Sequence, residues 1–471
     1  MANGIWNPVR WVMDYYRDQF FLKQLYRLAA PIALQNLLTA SLTMVGSVMV
    51  GQLGDAPIAA VGLAGQIFFL LSLILFGIGS GSAMFTAQLW GNKDIPSLHK
   101  VLGLCLLMGL LVGGIFLLAC WFFPARIIGI FTVDPQVIAL GSDYLHIYAW
   151  SFLFFSVTSG YAAILRSVGE VKLPMLITVS ALALNIALNY ILIFGAFGFP
   201  AMGIRGAAIS AVISRVVECL VLVLITYSKK YPVAAKFHEL LGFNLGFMGK
   251  IFNPVFPVIL NEILWSLAIT MYSIVYARIG TPSIAAMNIV GTVDNLAAVP
   301  FMGLSSAIAI ICGHKIGSGE KTEAYRDVGR TLGLTLLFAL LVSGVVFAFK
   351  GPVISLYKIT PEVALYTDRA LIILALWIFI RSVNMILVIG MLRGGGDTRY
   401  SLFLDGIIIW IIGVPMAILG GLILHLPVYW VYLMVMSEEL IKCILGLRRY
   451  FSRKWIHDLT ETVNIKIKNA A

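Results

Sequence analysis

The sequence predicts an all-α integral membrane protein with twelve transmembrane helices, arranged as two six-helix lobes related by a pseudo-two-fold axis along the membrane normal. Three observations predict this fold: the composition, the long apolar runs and an internal repeat. Of the 471 residues, 60% are hydrophobic and 12% are charged, and the mean hydropathy is +0.95. Because soluble domains are usually about one quarter charged, most of this surface must face something other than water.

Long runs with almost no charge supply the predicted helices. A helix that crosses a bilayer needs about 20 apolar residues, and Leu102–Phe123, Leu173–Phe199 and Thr331–Phe349 are the clearest runs of that length. The complete set predicts twelve spans, at roughly 28–50, 58–90, 101–123, 139–165, 173–196, 206–227, 251–277, 284–314, 331–349, 368–392, 401–423 and 427–447. The second and eighth spans exceed the bilayer thickness, so we expect them to tilt, bend or extend beyond it.

The basic residues predict the orientation. With the N-terminus placed in the cytoplasm, 24 of the 33 Lys and Arg residues fall on the cytoplasmic side and 6 on the opposite side. The remaining three, Arg215, Arg381 and Lys442, fall within spans. An excess of Lys and Arg marks cytoplasmic loops. We therefore expect a multi-pass plasma-membrane protein with both termini in the cytoplasm, and we attribute the net charge of +11 to topology and not to nucleic-acid binding.

An internal repeat predicts the domain organisation. At an offset of 226 residues Gly51–Gly65 matches Ala277–Gly291, and at 227 residues Leu165–Lys172 matches Leu392–Arg399. Ordered matches in loops as well as helices predict a duplication. The predicted parts are an N-lobe and a C-lobe, a cytoplasmic linker between them and a basic cytoplasmic tail, at 28–227, 251–447, 228–250 and 448–471. Transporters built from parallel repeats bind substrate between them and work by alternating access.

The remaining segment and the cysteines support simpler predictions. Residues 1–27 combine aromatic and basic side chains, which is typical either of an amphipathic helix lying in the membrane interface or of an ordinary juxtamembrane anchor. All five cysteines lie in apolar segments without metal-ligand spacing, so neither a disulfide framework nor a zinc site is predicted. The turn at 392–399 lacks the phosphate-loop pattern, so any transport must be secondary.

Several ordered motifs resemble the multidrug and toxic compound extrusion (MATE) family across nearly the whole chain. They are VGQLGDAPIAAVGLAG (50–65), the Gly91-Asn92 turn, LNIALNYILIFGAFGFPAMGIRGAAIS (184–210), LRGGGDTRYSLFLDG (392–406) and RRYFSRKW (448–455). The resemblance implies two lobes that form a V, and export of cationic or amphipathic compounds driven by inward proton or sodium flow. We expect a monomer whose partners are small substrates and the lipid bilayer, with no cofactor besides the coupling ion.

Two carboxylates lie deep in the seventh and eighth predicted spans. Glu262 and Asp294 lie 11 and 10 residues from the start of their spans, or roughly 15 Å deep. An ionisable group there costs about 2.5–3.5 kcal/mol, which favours a functional role. Together they could hold a proton or a sodium ion; the alternative is a structural ion pair with Arg381. In the resemblance, Glu262 matches a glutamate of the C-lobe cation site of many relatives, and Asp294 falls where many carry an acid.

The N-lobe lacks the corresponding acids. In several branches of the family an aspartate stands at each of two positions that read Gly46 and Asn189 here. The polar residues that remain are hypothetical substrate contacts or, equally well, interhelical hydrogen-bonding groups. They are Gln35, Asn36, Asn185 and Asn189. In the C-lobe, Trp265 and Tyr272 are the aromatic residues that we expect to contact a cationic substrate through their rings.

Other charges and other functions have blander interpretations. We expect Arg215 to pair with Glu218, and Lys442 with Glu438 and Glu439; Asp405 either pairs with Arg399 or caps its loop. A flippase for lipid-linked or metabolite cargo is the alternative function, but it would need several basic residues in the cleft. An enzyme or a receptor is the third class, and the sequence contains no cluster of His, Asp or Cys that favours an enzyme.

Overall fold

A computed structural model describes residues 18–464 of the chain, with side chains described for residues 18–461. Residues 1–17, which hold most of the predicted interfacial segment, lie outside the described part. Within residues 18–464 the regular structure is helical and contains no β-strand. The predicted all-α fold class is therefore confirmed.

The main helices follow the order of the predicted spans. They are α1 (Gln19–Gly51), α2 (Asp55–Gly91), α3 (Ile95–Phe122), α4 (Pro135–Tyr148), α5 (Ser151–Ser167), α6 (Lys172–Phe194), α7 (Gly203–Ser228), α8 (Leu245–Ile279), α9 (Thr281–Gly317), α10 (Lys321–Ser355), α11 (Pro361–Met385, continued as a π-helix over Ile386–Arg393), α12 (Thr398–Ile423, alternating α- and π-helical turns), α13 (Val428–Val435), α14 (Ser437–Ser452) and α15 (Leu459–Asn464). Short helical turns cover Pro124–Gly129, Ala196–Gly198 and Phe237–Leu240.

Ten of the described helices are long and apolar enough to cross a membrane, and the number is eleven if the bent pair α4 and α5 forms one span. The angle between α4 and α5 is 51°. The last predicted span, 427–447, is divided at Met436 into α13 and α14. The fold class is thus confirmed, while the exact count of twelve spans stays a prediction.

Helix ends follow from local sequence. Asp94 and Asp134 precede α3 and α4, and each carboxylate accepts a backbone N–H of the first turn. Thr360 caps α11 in the same way, next to a proline in the first turn. At the start of α1, the pKa of Asp18 is lowered by a hydrogen bond from the Phe21 backbone N–H and then by the positive charge of Arg330.

The chain divides into two compact units. We call N unit the residues 34–269, 396–407 and 457 onward, and C unit the residues up to 33, 270–395 and 408–456. The helices α1 and α8 are each divided between the units, and the N unit includes the linker after α7. The predicted lobes, 28–227 and 251–447, are not tested by this division and stay a prediction.

The end of the described chain is built into the core of the N unit. The side-chain amide of Gln88, on α2, donates to the His457 carbonyl at 3.1 Å and accepts the Leu459 N–H at 2.8 Å. The Gln88 side chain is fully buried, and Leu459 is 6% exposed within a cluster that also contains Phe85 and Leu165. The segment after α14 is therefore a structural part of this unit and not a loose tail.

Candidate functional site

A charged cluster lies among the membrane-spanning helices of the C unit. The Arg381 guanidinium, on α11, donates a short hydrogen bond to the carboxylate of Asp294 on α9. The two side chains are 31% and 25% exposed. The predicted counter-charge is thus in direct contact with one of the two predicted carboxylates. Because both groups are only partly buried, the pair is less costly to desolvate than a fully buried one.

A second carboxylate faces the same guanidinium. Glu439, on α14, places its Oε1 3.9 Å from Arg381 Nε, and its side chain is 15% exposed. Asn384, on α11, donates from Nδ2 to Glu439 Oε2 at 2.7 Å and to the Glu439 backbone carbonyl at 2.7 Å. One guanidinium therefore lies between two carboxylates from different helices, so the cluster carries an excess of one negative charge when both acids are ionised.

The neighbouring Glu438 belongs to a separate and more buried group. The Tyr272 hydroxyl, on α8, donates to Glu438 Oε2 at 2.9 Å, and Lys442 Nζ lies 3.5 Å from Glu438 Oε1. Glu438 and Lys442 are 4% and 2% exposed. A Cβ atom at Gly413 would lie 1.9 Å from the Tyr272 hydroxyl and 2.1 Å from Glu438 Oε2, so only glycine fits there. The predicted pairing of Glu438 with Lys442 is confirmed, and Tyr272 is 7% exposed.

Glu262 lies on α8 in the N unit. Its side chain is buried, and the adjacent Asn261 donates to Asp405 Oδ2 at 3.0 Å. Trp265 is half-buried one turn further along the helix. Glu262 and Asp294 belong to different compact units. Their predicted joint cation site, with a proton or a sodium ion, therefore stays a prediction.

The polar residues predicted in the N-lobe form a hydrogen-bonded set on α6 and α7. Asn189, which is 5% exposed, donates to Asn185 Oδ1 at 3.3 Å and accepts a short bond from the Ser210 hydroxyl. A Cβ atom at Gly46 would lie 3.8 Å from Asn189 Nδ2, so this position adjoins the same set. The bonding supports the interhelical interpretation for Asn185 and Asn189. Gln35 and Asn36 are half-buried on α1, and their role as substrate contacts stays a prediction.

The N unit holds its own guanidinium in a different setting. Arg215, on α7, donates to Glu218 at 2.7 Å, and the two side chains are 20% and 2% exposed. The guanidinium carbon lies 4.8 Å from the ring centre of Phe155 and 5.6 Å from that of Phe68, within the range of cation–π contacts. The predicted pair of Arg215 and Glu218 is confirmed. The aromatic contacts come from α2 and α5 and were not predicted.

An apolar cavity lies in the C unit between α9, α10 and α11. Its volume is about 300 Å³, and it is lined mainly by aliphatic side chains, among them Val293, Leu341 and Leu371. Lys350 is the charged residue in its lining, and the Lys350 ammonium pairs with Asp368. A cavity of this kind can accept an apolar group but supplies little to orient it.

The described residues contain no group of three His, Cys, Asp or Glu side chains that could hold a metal ion. What sequence reasoning missed is the role of Glu439, which was grouped with Glu438 as a partner of Lys442. Two adjacent glutamates in an otherwise apolar span were the available signal. The interpretation required the break at Met436, because that break lets consecutive side chains reach different neighbours.

Comparison with known proteins agrees with the repeat and with the fold. The MatE family model matches residues 31–191 and 257–419, and the two matches begin 226 residues apart, which is the offset of the internal repeat. The chain is 25% identical over 434 residues to a probable multidrug resistance protein NorM of Thermotoga maritima, covering 92% of this chain and 93% of that protein.

Two further similarities extend over most of both chains. A probable multidrug resistance protein NorM of Rhizobium meliloti is 30% identical over 407 residues, covering 83% of this chain and 85% of that protein. A solved structure of a multidrug resistance MATE family transporter of the MOP superfamily, in an outward-facing conformation, superposes with a TM-score of 0.82. That comparison covers 92% of this chain and 96% of the other at 20% identity, so it shows the shared fold. The chain therefore belongs to the MatE family of multi-pass membrane transporters.

Proposed function

We propose that this protein is a secondary active antiporter that exports cationic or amphipathic small molecules by alternating access, in exchange for inward flow of protons or sodium ions. It acts as a monomer in the plasma membrane, with both termini in the cytoplasm. The single observation that carries the coupling part is the cluster of Asp294, Arg381 and Glu439 on membrane-spanning helices.

Charged side chains in a membrane-spanning segment are expensive, and they persist where they bind ions or substrates. The cluster has two acids for one base, so it can accept one positive charge without creating an excess of positive charge. Glu262 supplies a further buried carboxylate on α8. These acids support a site that takes up a proton, a sodium ion or the cationic group of a substrate.

The substrate class is supported by the relatives. Two similar proteins bear the name probable multidrug resistance protein. The aromatic and aliphatic side chains exposed on the helices of the C unit, together with its apolar cavity, can accommodate lipophilic groups of varied shape.

The flippase alternative is less well supported by the charges. A cleft that binds a lipid-linked pyrophosphate needs cations that are free to contact phosphate oxygens. Arg215 is paired with Glu218, and Arg381 is paired with Asp294. Both guanidinium groups are therefore neutralised by carboxylates, which favours a cationic or neutral cargo.

A liposome assay tests the proposal. The purified protein is reconstituted, ethidium is enclosed as a fluorescent cation, and an inward proton gradient or an inward sodium gradient is imposed separately. We expect one gradient to accelerate dye release. Glu262→Gln and Asp294→Asn should reduce the rate to near that of protein-free liposomes. Glu323→Gln is the matched control, because Glu323 forms an exposed pair with Arg326 at the start of α10.

Two results would contradict the proposal. If neither gradient accelerates release from liposomes that contain the unaltered protein, the coupled export is wrong. If Glu262→Gln and Asp294→Asn both release dye at the rate of the unaltered protein, the carboxylates are not the coupling groups.

A further inference from the structure

The break between α13 and α14 is stabilised by two side chains of α11. The Trp377 indole N–H donates to the Met436 carbonyl at 2.9 Å, and Asn384 Nδ2 donates to the Glu439 carbonyl at 2.7 Å. A broken helix leaves carbonyls without their usual partners, and such groups are costly within a membrane unless another donor satisfies them. The break is therefore a built feature of the C unit.

The break directs two consecutive acids to different partners. Glu438 is bound by Tyr272 and Lys442, whereas Glu439 is bound by Asn384 and faces Arg381. In the first group the carboxylate has a nearby ammonium. In the second group the guanidinium already binds Asp294, so Glu439 has a full hydrogen bond only to a neutral amide among the contacts described.

The distances define which partner Arg381 prefers in this structure. It makes a direct hydrogen bond to Asp294, while Glu439 Oε1 remains 3.9 Å from its Nε, beyond hydrogen-bonding distance. A movement of about 1 Å would bring the guanidinium into contact with Glu439. The carbonyl oxygen Oδ1 of Asn384 is buried and accepts no hydrogen bond within the described residues, so an acceptor stands open in the amide that holds Glu439.

We propose that Glu439 is an alternative partner of Arg381, and that a proton arriving at Asp294 transfers the guanidinium from Asp294 to Glu439. This inference rests on the proposed antiport and names the groups that perform its coupling step. The proton from the solvent binds a carboxylate oxygen of Asp294, the ion pair to Arg381 breaks, and Arg381 keeps its charge and pairs with Glu439. The salt bridge thereby moves from between α9 and α11 to between α11 and α14.

The surroundings fit this exchange. Asp294, Arg381 and Glu439 are 25%, 31% and 15% exposed, so none of them is sealed from a proton donor. Asn384 is a positioning residue, because it holds the Glu439 carboxylate in place without neutralising it. The other titratable groups near these side chains are Tyr432 on α13, Glu438, Lys442 and Cys443 on α14, and Tyr272 and Tyr276 on α8.

A double-mutant cycle on the full-length protein tests the exchange without measuring transport. Asp294→Asn imitates the protonated acid, and Glu439→Gln removes the alternative partner while preserving shape. With Glu439 present, Arg381 keeps a carboxylate in the Asp294→Asn variant, so we expect a small decrease in the melting temperature. In the double variant Arg381 loses both carboxylates, and we expect an additional loss of about 3 °C beyond the sum of the single changes.

The cycle has a clear contradictory result. If the two single losses add to give the loss of the double variant within error, Glu439 does not replace Asp294 and the exchange is wrong. The same cycle with Asp294→Asn and Glu323→Gln is the control, and these changes should be additive because Glu323 pairs with Arg326 on the exposed start of α10.

Transport measurements separate this inference from the proposed function. We expect Glu439→Gln to bind ethidium normally but to slow proton-driven release about tenfold, since the guanidinium has no second partner. Asn384→Ala should shift the pH at which release is half-maximal, and Asn384→Gln should restore it in part. If the unaltered protein shows no coupled release, the proposed function fails and the stability cycle still decides the exchange. If the unaltered protein is coupled and Glu439→Gln releases dye at the same rate, the exchange alone is wrong.

Discussion

The two compact units each hold a guanidinium group among their helices, but they neutralise it differently. In the C unit Arg381 lies between Asp294 and Glu439. In the N unit Arg215 pairs with Glu218 and packs on the rings of Phe68 and Phe155. The 226-residue offset of the repeat puts Phe68 in register with Asp294 and Phe155 in register with Arg381. The positions that are ionic in one repeat are therefore aromatic in the other.

The difference concerns charge balance and exposure. Arg215 has one carboxylate partner, which is 2% exposed, and its two aromatic neighbours cannot accept a proton. Arg381 has two carboxylates, both partly exposed. An arginine with a single buried partner has one stable arrangement, whereas an arginine with two candidate partners has two. The comparison suggests that duplication supplied the scaffold and that the ion chemistry developed in one copy.

The largest expected effect comes from Arg215→Met. It leaves the carboxylate of Glu218, 2% exposed, without its cation, and an uncompensated buried charge costs about 3–5 kcal/mol. We expect thermal unfolding of the purified protein to show that loss, and the double variant Arg215→Met with Glu218→Met to recover most of it.

Arg205→Met is the matched control. Arg205 pairs with Asp143, and these side chains are 64% and 49% exposed, so its loss should change the stability by less than about 1 kcal/mol. Equal losses for Arg215→Met and Arg205→Met would show that the N-unit pair is not the closed structural pair described above.

A smaller loss of stability is expected for Arg381→Met. The two carboxylates that it leaves are 25% and 15% exposed and can be solvated in part, so we expect a cost of about 1–3 kcal/mol. Gradient-driven dye release should nevertheless be lost. A stability loss larger than that of Arg215→Met, measured by the same unfolding assay, would reverse the comparison between the units.

Phe155→Leu should have a weaker effect that is confined to the N unit. The change preserves most of the side-chain volume and removes a ring that lies 4.8 Å from the Arg215 guanidinium. We expect a loss of about 1 kcal/mol, of which the cation–π part should vanish in the Arg215→Met background. An unfolding assay that gives the same loss in both backgrounds would mean that the ring contributes packing and not cation binding.

The smallest effect on stability is expected for Gly46→Asp, which restores an acid to the N-lobe. A Cβ atom there meets Asn189 Nδ2 at 3.8 Å, so the side chain has room and a hydrogen-bond donor. The stability should change by less than about 1 kcal/mol, since the site is a half-buried helical position. The pH profile of dye release should gain a second step. An unchanged profile would show that the N unit does not contribute to coupling even when it carries an acid.

Much of the fold was predictable from local sequence. The apolar runs, the repeat and the basic loops depend on residues close together in the chain, and so does the pairing of Arg215 with Glu218 one turn later. Asp294 and Arg381 could be identified individually because a charge in an apolar run is conspicuous. Their contact was one of the alternatives that the sequence left open, because it joins residues 87 positions apart.

The break at Met436 could not be predicted in the same way. The predicted span 427–447 contains no proline or glycine after its first residue that would interrupt a helix before Gly446. The break depends on Trp377 and Asn384, whose hydrogen bonds reach carbonyls 59 and 55 residues further along the chain. Local propensity does not record such tertiary contacts, and the position of Glu439 follows from them.

The clamp that Gln88 forms on His457 and Leu459 has a consequence for biosynthesis. Most of the N unit is complete when residue 269 has been made, yet its core includes Leu459, which emerges about 190 residues later. At translation rates of about 5–20 residues per second, the ribosome needs roughly 10 to 40 s for that stretch. During this time the buried amide of Gln88 waits for its final partners. The first-made half of the transporter is therefore closed by nearly the last residues to be synthesised.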